Sequence, residues 1–370
     1  MLTLRQELSR TPGLENYGLK DDGRPFIIAE MSGNHNQSLD RALAIVDAAA
    51  ETGADALKIQ TFTADSMTLD MGEGEFTITD PKSLWYGRRL YDLYEEAKTP
   101  AEWHKPIFDR ARERGIMAFS SPFSEDAVEL LESLNAPVYK IASFETVDLP
   151  LVRCVAQTGK PMIISTGMAT VTEIAEAVEI ALSAGCPNLT LLKCTSSYPA
   201  TPENTNLVTM PVIGKTFGVN VGLSDHTLGT GVSVAATALG ASVIEKHFII
   251  DRSDGGVDSA FSLEPDEFTA LVDETTRAAQ AMGKVWFGGT QSEQAGRKKR
   301  RSLYIGEDMK AGDILTTKNL RRIRPGLGLA PRHFDVLLGR RVGRDVTKGT
   351  PVSWDLLDAT SNPATKPDGS

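Results

Sequence analysis

Cysteine is scarce in this chain: Cys154, Cys186 and Cys194 are the three in 370 residues, with no CxxC spacing and an odd count. That excludes a disulfide-stapled secreted scaffold and a cysteine-ligated zinc module, and it fits ordinary packed thiols in a reduced compartment. Long apolar runs are missing as well. No stretch approaches the ~20 apolar residues that span a bilayer. The opening Met1 to Lys20 carries Arg5, Glu7, Arg10 and Glu15 and lacks the apolar centre of a signal peptide. The chain therefore reads as soluble and cytoplasmic. No GxGxxG follows the first apolar run, which speaks against a dinucleotide fold. Net positive charge is absent too. The formal charge is −10, and an acidic surface repels phosphate backbones, so nucleic acid is not an expected partner. An anionic small substrate stays open, because a few lysines and arginines can invert the field inside one cleft.

What is present is a rhythm. Eight short apolar runs punctuate the first 250 residues: Phe26–Ala29, Ala56–Ile59, Ile116–Phe119, Val138–Ile141, Met162–Ile164, Leu189–Leu192, Val219–Leu223 and Val243–Lys246. Most end in a polar residue, among them Glu30, Gln60, Ser121, Ser143, Ser165, Thr195, Ser224, His226 and His247. Helical patterns lie between them. Ser38 to Thr52 puts Leu39, Leu43, Val46 and Ala50 on one stripe, with Ser38 as N-cap and Gly53 as stop; Ser124–Leu134, Thr172–Ala184 and Thr230–Gly240 behave alike. Strand and helix alternating eight times predict an α/β fold with a parallel sheet, closed into a (β/α)8 barrel over residues 25–286.

Residues 1–24 read as an N-terminal extension. One connection, Asp65 to Pro100, is unusually long and holds Trp85, Tyr86, Arg88, Arg89, Tyr91 and Tyr94; a long loop at the carboxyl end of a barrel covers a site or packs as a peripheral insertion. Residues 287–299 are a polar linker. Its basic run, Arg297 to Arg301, reads as a solvated stretch. Short strands and turns such as Ala311-Gly312-Asp313 and Lys348-Gly349-Thr350 then mark a small β-rich domain over 300–360, and 361–370 reads as a disordered tail.

Parity sorts the strand-end side chains. Glu245 and His247 share one face and leave Lys246 on the other. Ser224 and His226 share a face with Gly222, and Lys58 and Gln60 with Ala56. Adjacent strands bring His226 and His247 near enough to hold one divalent ion, which suits a Lewis acid on a carbonyl; two hydrogen-bonded core histidines are the plainer alternative. Asp225 and Asp258 are candidate ligands or supports. Glu30 is a candidate base, or a structural partner of Lys58. Lys58, Lys140 and Lys193, with Ser121, Ser143 and Ser165, suggest a phosphate or carboxylate cradle, and a Schiff-base lysine is the competing chemistry. Ser165-Thr166-Gly167 offers hydroxyl and backbone donors to phosphate.

Six ordered motifs carry a resemblance. Ala29-Glu30-Met31-Ser32-Gly33-Asn34-His35-Asn36, Lys58-Ile59-Gln60-Thr61-Phe62, Tyr139-Lys140-Ile141-Ala142-Ser143, Ser165-Thr166-Gly167-Met168, Gly222-Leu223-Ser224-Asp225-His226-Thr227 and Glu245-Lys246-His247-Phe248 are similar to the signatures of the sialic acid synthase family. Its members are phosphoenolpyruvate-dependent nonulosonate synthases, and the C-terminal domain resembles their antifreeze-like (SAF) module. Residues 254–265, Glu30–Gly33, Trp85-Tyr86-Gly87-Arg88 and Trp103-His104-Lys105 resemble the pseudaminic acid branch more than the N-acetylneuraminate or legionaminate branches. Ser196-Ser197-Tyr198 departs from the neuraminate pattern, and Val257 stands where proline is common.

The resemblance implies a condensation of phosphoenolpyruvate with 2,4-diacetamido-2,4,6-trideoxy-β-L-altrose. A divalent ion, manganese ahead of magnesium or cobalt, would sit on His226 and His247, and Glu30 would assist water addition. Lys58, Ser121, Lys140, Ser143, Ser165 and Ser224 would hold phosphoenolpyruvate; Gln60, Ser196, Tyr198, Asp258 and Arg324 would meet the sugar. A homodimer in which the small domain caps the partner's barrel is also implied. The alternatives are a neuraminate or legionaminate synthase, a Schiff-base aldolase, and a non-catalytic carbohydrate-binding protein.

Overall fold

The computed structural model describes residues 2–358 apart from Glu15, Asn16, Gly18, Lys20 and Glu73, so the expected tail over 361–370 lies outside the described residues. Two compact units divide the chain, residues 1–283 and 284–370.

In the first unit the eight apolar runs form β1 (Phe26–Glu30), β2 (Ala56–Thr61), β3 (Met117–Pro122), β4 (Tyr139–Ile141), β5 (Met162–Ser165), β6 (Leu189–Cys194), β7 (Asn220–Asp225) and β8 (Val243–His247). Each pairs with the next in parallel and β8 closes on β1, with Glu30 level with His247. The strands are buried on both faces, which is why they read as continuous apolar runs. Ile27, Ala29, Leu57, Ile59, Leu189, Leu191 and Ile244 face the helices, while Phe26, Ile28, Ala56, Met117, Phe119, Ile163, Leu192 and Val243 fill the barrel.

The base of the barrel is closed by the chain's own beginning. Thr3 caps a short helix, Leu4–Leu8, in a reciprocal capping box with Gln6. Leu4 and Leu8 insert into the interior apolar cluster. Arg5 pairs with Asp55, which Arg24 also meets at 2.8 Å, and Asn188 and Asn220 donate to the Leu2 carbonyl at 3.0 and 2.7 Å. The N-terminal segment is thus part of the barrel unit.

The described residues of the long connection after β2 hold regular structure. It contains helices Ala64–Met67 and Leu90–Ala97 and an antiparallel bridge between Thr77 and Arg89. Among the described residues, no helix is long and apolar enough to cross a membrane. The second unit contains an antiparallel pair, β9 (Ser302–Ile305) and β10 (Leu320–Ile323), over a core that includes Leu303, Ile305, Leu315, Leu320, Val342 and Val352.

Candidate active site

Parity carries directly into the site. Because Leu57 and Ile59 face the helices, Lys58 must face inward; the same alternation turns Glu30, Gln60, Lys140, Ser224, Glu245 and His247 into the barrel's upper interior. A buried charge chain results. Glu30 Oε2 lies 2.6 Å from Lys58 Nζ, and Glu30 Oε1 accepts from Gln60 Nε2 at 2.9 Å. Lys58 donates to Ser121 Oγ at 3.1 Å and sits 3.8 Å from Glu245 Oε2. Glu245 Oε1 is 3.7 Å from Lys140 Nζ and accepts from Ser224 Oγ at 2.9 Å. Two carboxylates and two ammonium groups thus alternate in a buried interior.

Burial is the largest influence on each of these groups. It raises Glu30 above the usual carboxyl range, against the pull of Lys58. It works against charge on Lys58 too, but Glu245 and Glu30 outweigh it and hold that ammonium firmly protonated. Lys140 has weaker compensation, and burial leaves it below the ordinary lysine value.

Beside the chain stand the two imidazoles, their ring centres 5.3 Å apart. His226 Nδ1 is engaged by the Thr195 carbonyl at 3.0 Å, which leaves Nε2 for another partner. His247 Nδ1 is buried, without a hydrogen bond, and 3.8 Å from Asp258 Oδ2. An orphaned buried nitrogen beside a second imidazole fits a divalent cation whose remaining positions are filled from outside the chain. Among the described residues, no three His, Cys, Asp or Glu side chains form a metal site by themselves.

The rim at β4, β5 and β6 is built from hydroxyls. Gly167 N–H donates to Ser143 Oγ at 3.2 Å, and Ser165 Oγ is buried without a partner. A side chain at position 167 would run into Ser196 Oγ at 2.2 Å and Ser143 Oγ at 2.8 Å, so glycine is what lets this cradle close. The aromatic wall comes from loops. Tyr198 lies 4.5 Å from His226 and 5.2 Å from Phe261, and Phe261 lies 4.8 Å from His247, between ring centres. Burial pushes the Asp258 carboxyl above its usual range, against the Ser32 side chain and the Gly33 backbone, which pull it down.

Two expected residues of the barrel unit face outward. Lys193 shares parity with Leu189 and Leu191, so it points outward, lining a cavity of about 430 Å³ with Met168, Val171 and Val212. Its ammonium donates to the Cys194 carbonyl at 2.6 Å and takes no part in the cradle. Asp225 also faces outward; it pairs with Lys246 at 2.8 Å and accepts from Thr227 and Ser233. Arg324 belongs to the second unit, where it lines a cavity of about 610 Å³ with Arg301, Arg321, Arg322 and Phe334.

Three site residues escaped sequence reasoning. Cys194 Sγ lies 3.9 Å from His226 Nδ1; burial raises the thiol, but His226, Ser143 and Lys140 bring it down to about 7. Glu145, just past β4, has a buried oxygen without a hydrogen bond, and burial pushes it up to about 7 despite Lys140. Phe261 packs both imidazoles. Parity could have found Cys194; Glu145 and Phe261 lie off the strands, where periodicity is silent.

The comparisons converge. The chain is 45% identical over 328 residues to a pseudaminic acid synthase of Campylobacter jejuni subsp. jejuni serotype O:23/36, covering 89% of this chain and 95% of that protein. It is 35% identical over 325 residues to an N,N'-diacetyllegionaminic acid synthase of Campylobacter jejuni serotype O:2, covering 86% and 95%. A solved N-acetylneuraminic acid synthetase from Leptospira borgpetersenii superposes with a TM-score of 0.66 at 30% identity, over 74% of this chain and 90% of that one. The SAF domain profile matches residues 300–358. The NeuB family profile matches residues 45–286, and the chain belongs to the NeuB family.

Proposed function

We propose that the protein condenses phosphoenolpyruvate with 2,4-diacetamido-2,4,6-trideoxy-β-L-altrose, in its open aldehyde form, to give pseudaminic acid and phosphate. The observation that carries this reading is the buried Glu30–Lys58–Glu245–Lys140 chain set against two imidazoles. The 45% identity to a pseudaminic acid synthase, against 35% to a legionaminic acid synthase, supports the choice of sugar. Residues 25–286 form the catalytic barrel in this reading, and 300–360 the SAF module.

Lys58 and Lys140, with the hydroxyls of Ser121, Ser143, Ser165 and Ser224, hold the carboxylate and phosphate of phosphoenolpyruvate; buried ammonium groups keep their full strength there because water does not screen them. Gln60, Ser196, Tyr198 and Asp258 position the sugar. His226 and His247 would hold a divalent cation, manganese ahead of magnesium or cobalt, which would supply Lewis acidity when bound. C3 of phosphoenolpyruvate forms the new bond to the aldehyde carbon, the aldehyde oxygen takes a proton from Glu30 to become a hydroxyl, and C2 is left cationic. Water adds to C2 and returns a proton to Glu30, whose pKa, raised by burial, suits an acid–base role. The C2–O bond to phosphate then breaks, the C2 hydroxyl gives its proton to the departing phosphate, and C2 becomes the ketone.

The reading extends to a cytoplasmic homodimer in which the small unit brings Arg324 to its partner's sugar. The test is phosphate release with phosphoenolpyruvate, manganese and the diacetamido sugar. Release many-fold above that with N-acetylmannosamine or the legionaminic acid precursor is expected. Equal or lower release would sink the sugar assignment, and no release with any acceptor would sink the reaction.

A further inference from the structure

Resting on the proposed reaction, we infer that Trp85 is a specificity-determining residue, which selects acceptor sugars carrying methyl and acetamido groups over hydroxyl-rich ones. Trp85 stands in the long connection after β2, between two exposed neighbours, Leu84 and Tyr86, and is itself half-buried. Its indole Nε1 donates to the Val257 carbonyl at 3.1 Å, one residue before Asp258. Its ring centre lies 6.0 Å from that of Tyr198, tilted by 56°. Tyr198 in turn contacts His226 and Phe261. One side chain therefore joins three loops, those after β2, β6 and β8, and extends the aromatic wall beside the two imidazoles.

The chemistry of that wall differs from the rest of the site. Gln60, Ser196 and Asp258 offer hydrogen bonds and serve any polyol. A ring face offers none; it gains only when it covers apolar surface. A deoxygenated C6 methyl and acetamido methyls are the apolar surfaces such a sugar has, whereas a hydroxyl gains nothing there. Discrimination from one methyl-sized contact runs from about tenfold upwards.

The test measures kcat/KM for Trp85→Ala and wild type across acceptors graded in methyl and acetamido content. The expected result is a loss of about tenfold or more on the diacetamido-trideoxy sugar and a much smaller loss on N-acetylmannosamine, expressed mainly in KM. Trp85→Phe keeps a ring and lacks the N–H, so it is expected to hold the selectivity. A uniform loss across acceptors, or none, would overturn the inference whichever sugar the wild type prefers; a uniform loss would mean that Trp85 only braces the Asp258 loop. Wild-type turnover reports separately on the reaction. If the wild type turned over no acceptor, the same ratio measured as binding affinity by calorimetry would decide the case for Trp85.

Discussion

His35 is fully buried with its ring edge-on to Trp103 at 5.5 Å, and its Nδ1 accepts from the Gln37 backbone N–H at 3.2 Å. Accepting requires the neutral ring, and burial pushes the imidazole down to about 4 from 6.5. His104 is shifted in the same direction for the same reason, its Nε2 bonded to Thr61 at 2.8 Å. Between pH 6.5 and 4 the unfolded chain therefore takes up protons that the folded chain refuses. The stabilisation is present above pH 6.5 and is lost as pH falls, at about 1.4 kcal/mol per pH unit for His35, with His104 adding in the same direction. Urea unfolding across that window is expected to show the slope, and His35→Asn to reduce it by the contribution of one group; an unchanged slope would refute the assignment. At this scale the sequence was readable wherever a residue sat on a strand. Lys58 and His247 followed from parity, Glu30 and Lys140 from their places along the apolar runs, and the same alternation turns Lys193 outward. Glu145 and Phe261 are placed by loop packing that no period encodes.

Among the elements, the ends of β7 and β8 are tied by a pair that faces away from the site. Asp225 and Lys246 have fully buried side chains 2.8 Å apart, and Lys246 also donates to the Thr227 carbonyl at 2.5 Å. They immediately adjoin His226 and His247, so their pairing sets how far apart the two imidazoles stand. Removing one partner strands a buried charge, which costs about 3–5 kcal/mol. Lys246→Met is expected to lower unfolding free energy by that amount, and Asp225→Asn with Lys246→Met by clearly less than the sum of the two single changes. Simple additivity in denaturant titrations would show that the pair is not coupled. Most elements were legible: eight strands and the helices Leu39–Glu51, Glu125–Ser133, Val171–Ser183 and Gly231–Ala238 match the apolar rhythm. The five-residue helix Leu4–Leu8 was not, because two leucines cannot show a period and their partners lie on strands distant in sequence.

On the scale of the whole molecule, charge is divided unevenly. Residues 1–283 carry 22 basic and 40 acidic side chains, a net −18, and residues 284–370 carry 17 and 9, a net +8. Opposite net charges attract, and the attraction weakens with salt. If the proposed dimer exchanges these units, His247→Ala and Arg324→Ala chains complement each other, since a mixed dimer holds one site with both residues intact. Each variant alone is expected to be nearly inactive, and a coexpressed mixture to recover about a quarter of wild-type activity. Recovery no greater than the mean of the two variants would place Arg324 in its own chain's site.

The leucine plug under the barrel has a consequence for traffic. With the lower interior packed by apolar side chains, the polar groups above it are approached from the carboxyl ends of the strands. Lys58, Lys140 and Glu245 lie on the strands, below the loops that carry Tyr198, Asp258 and Trp85. If the proposed reaction holds, the phosphorylated reactant seats first, on the strand lysines, and the sugar closes over it.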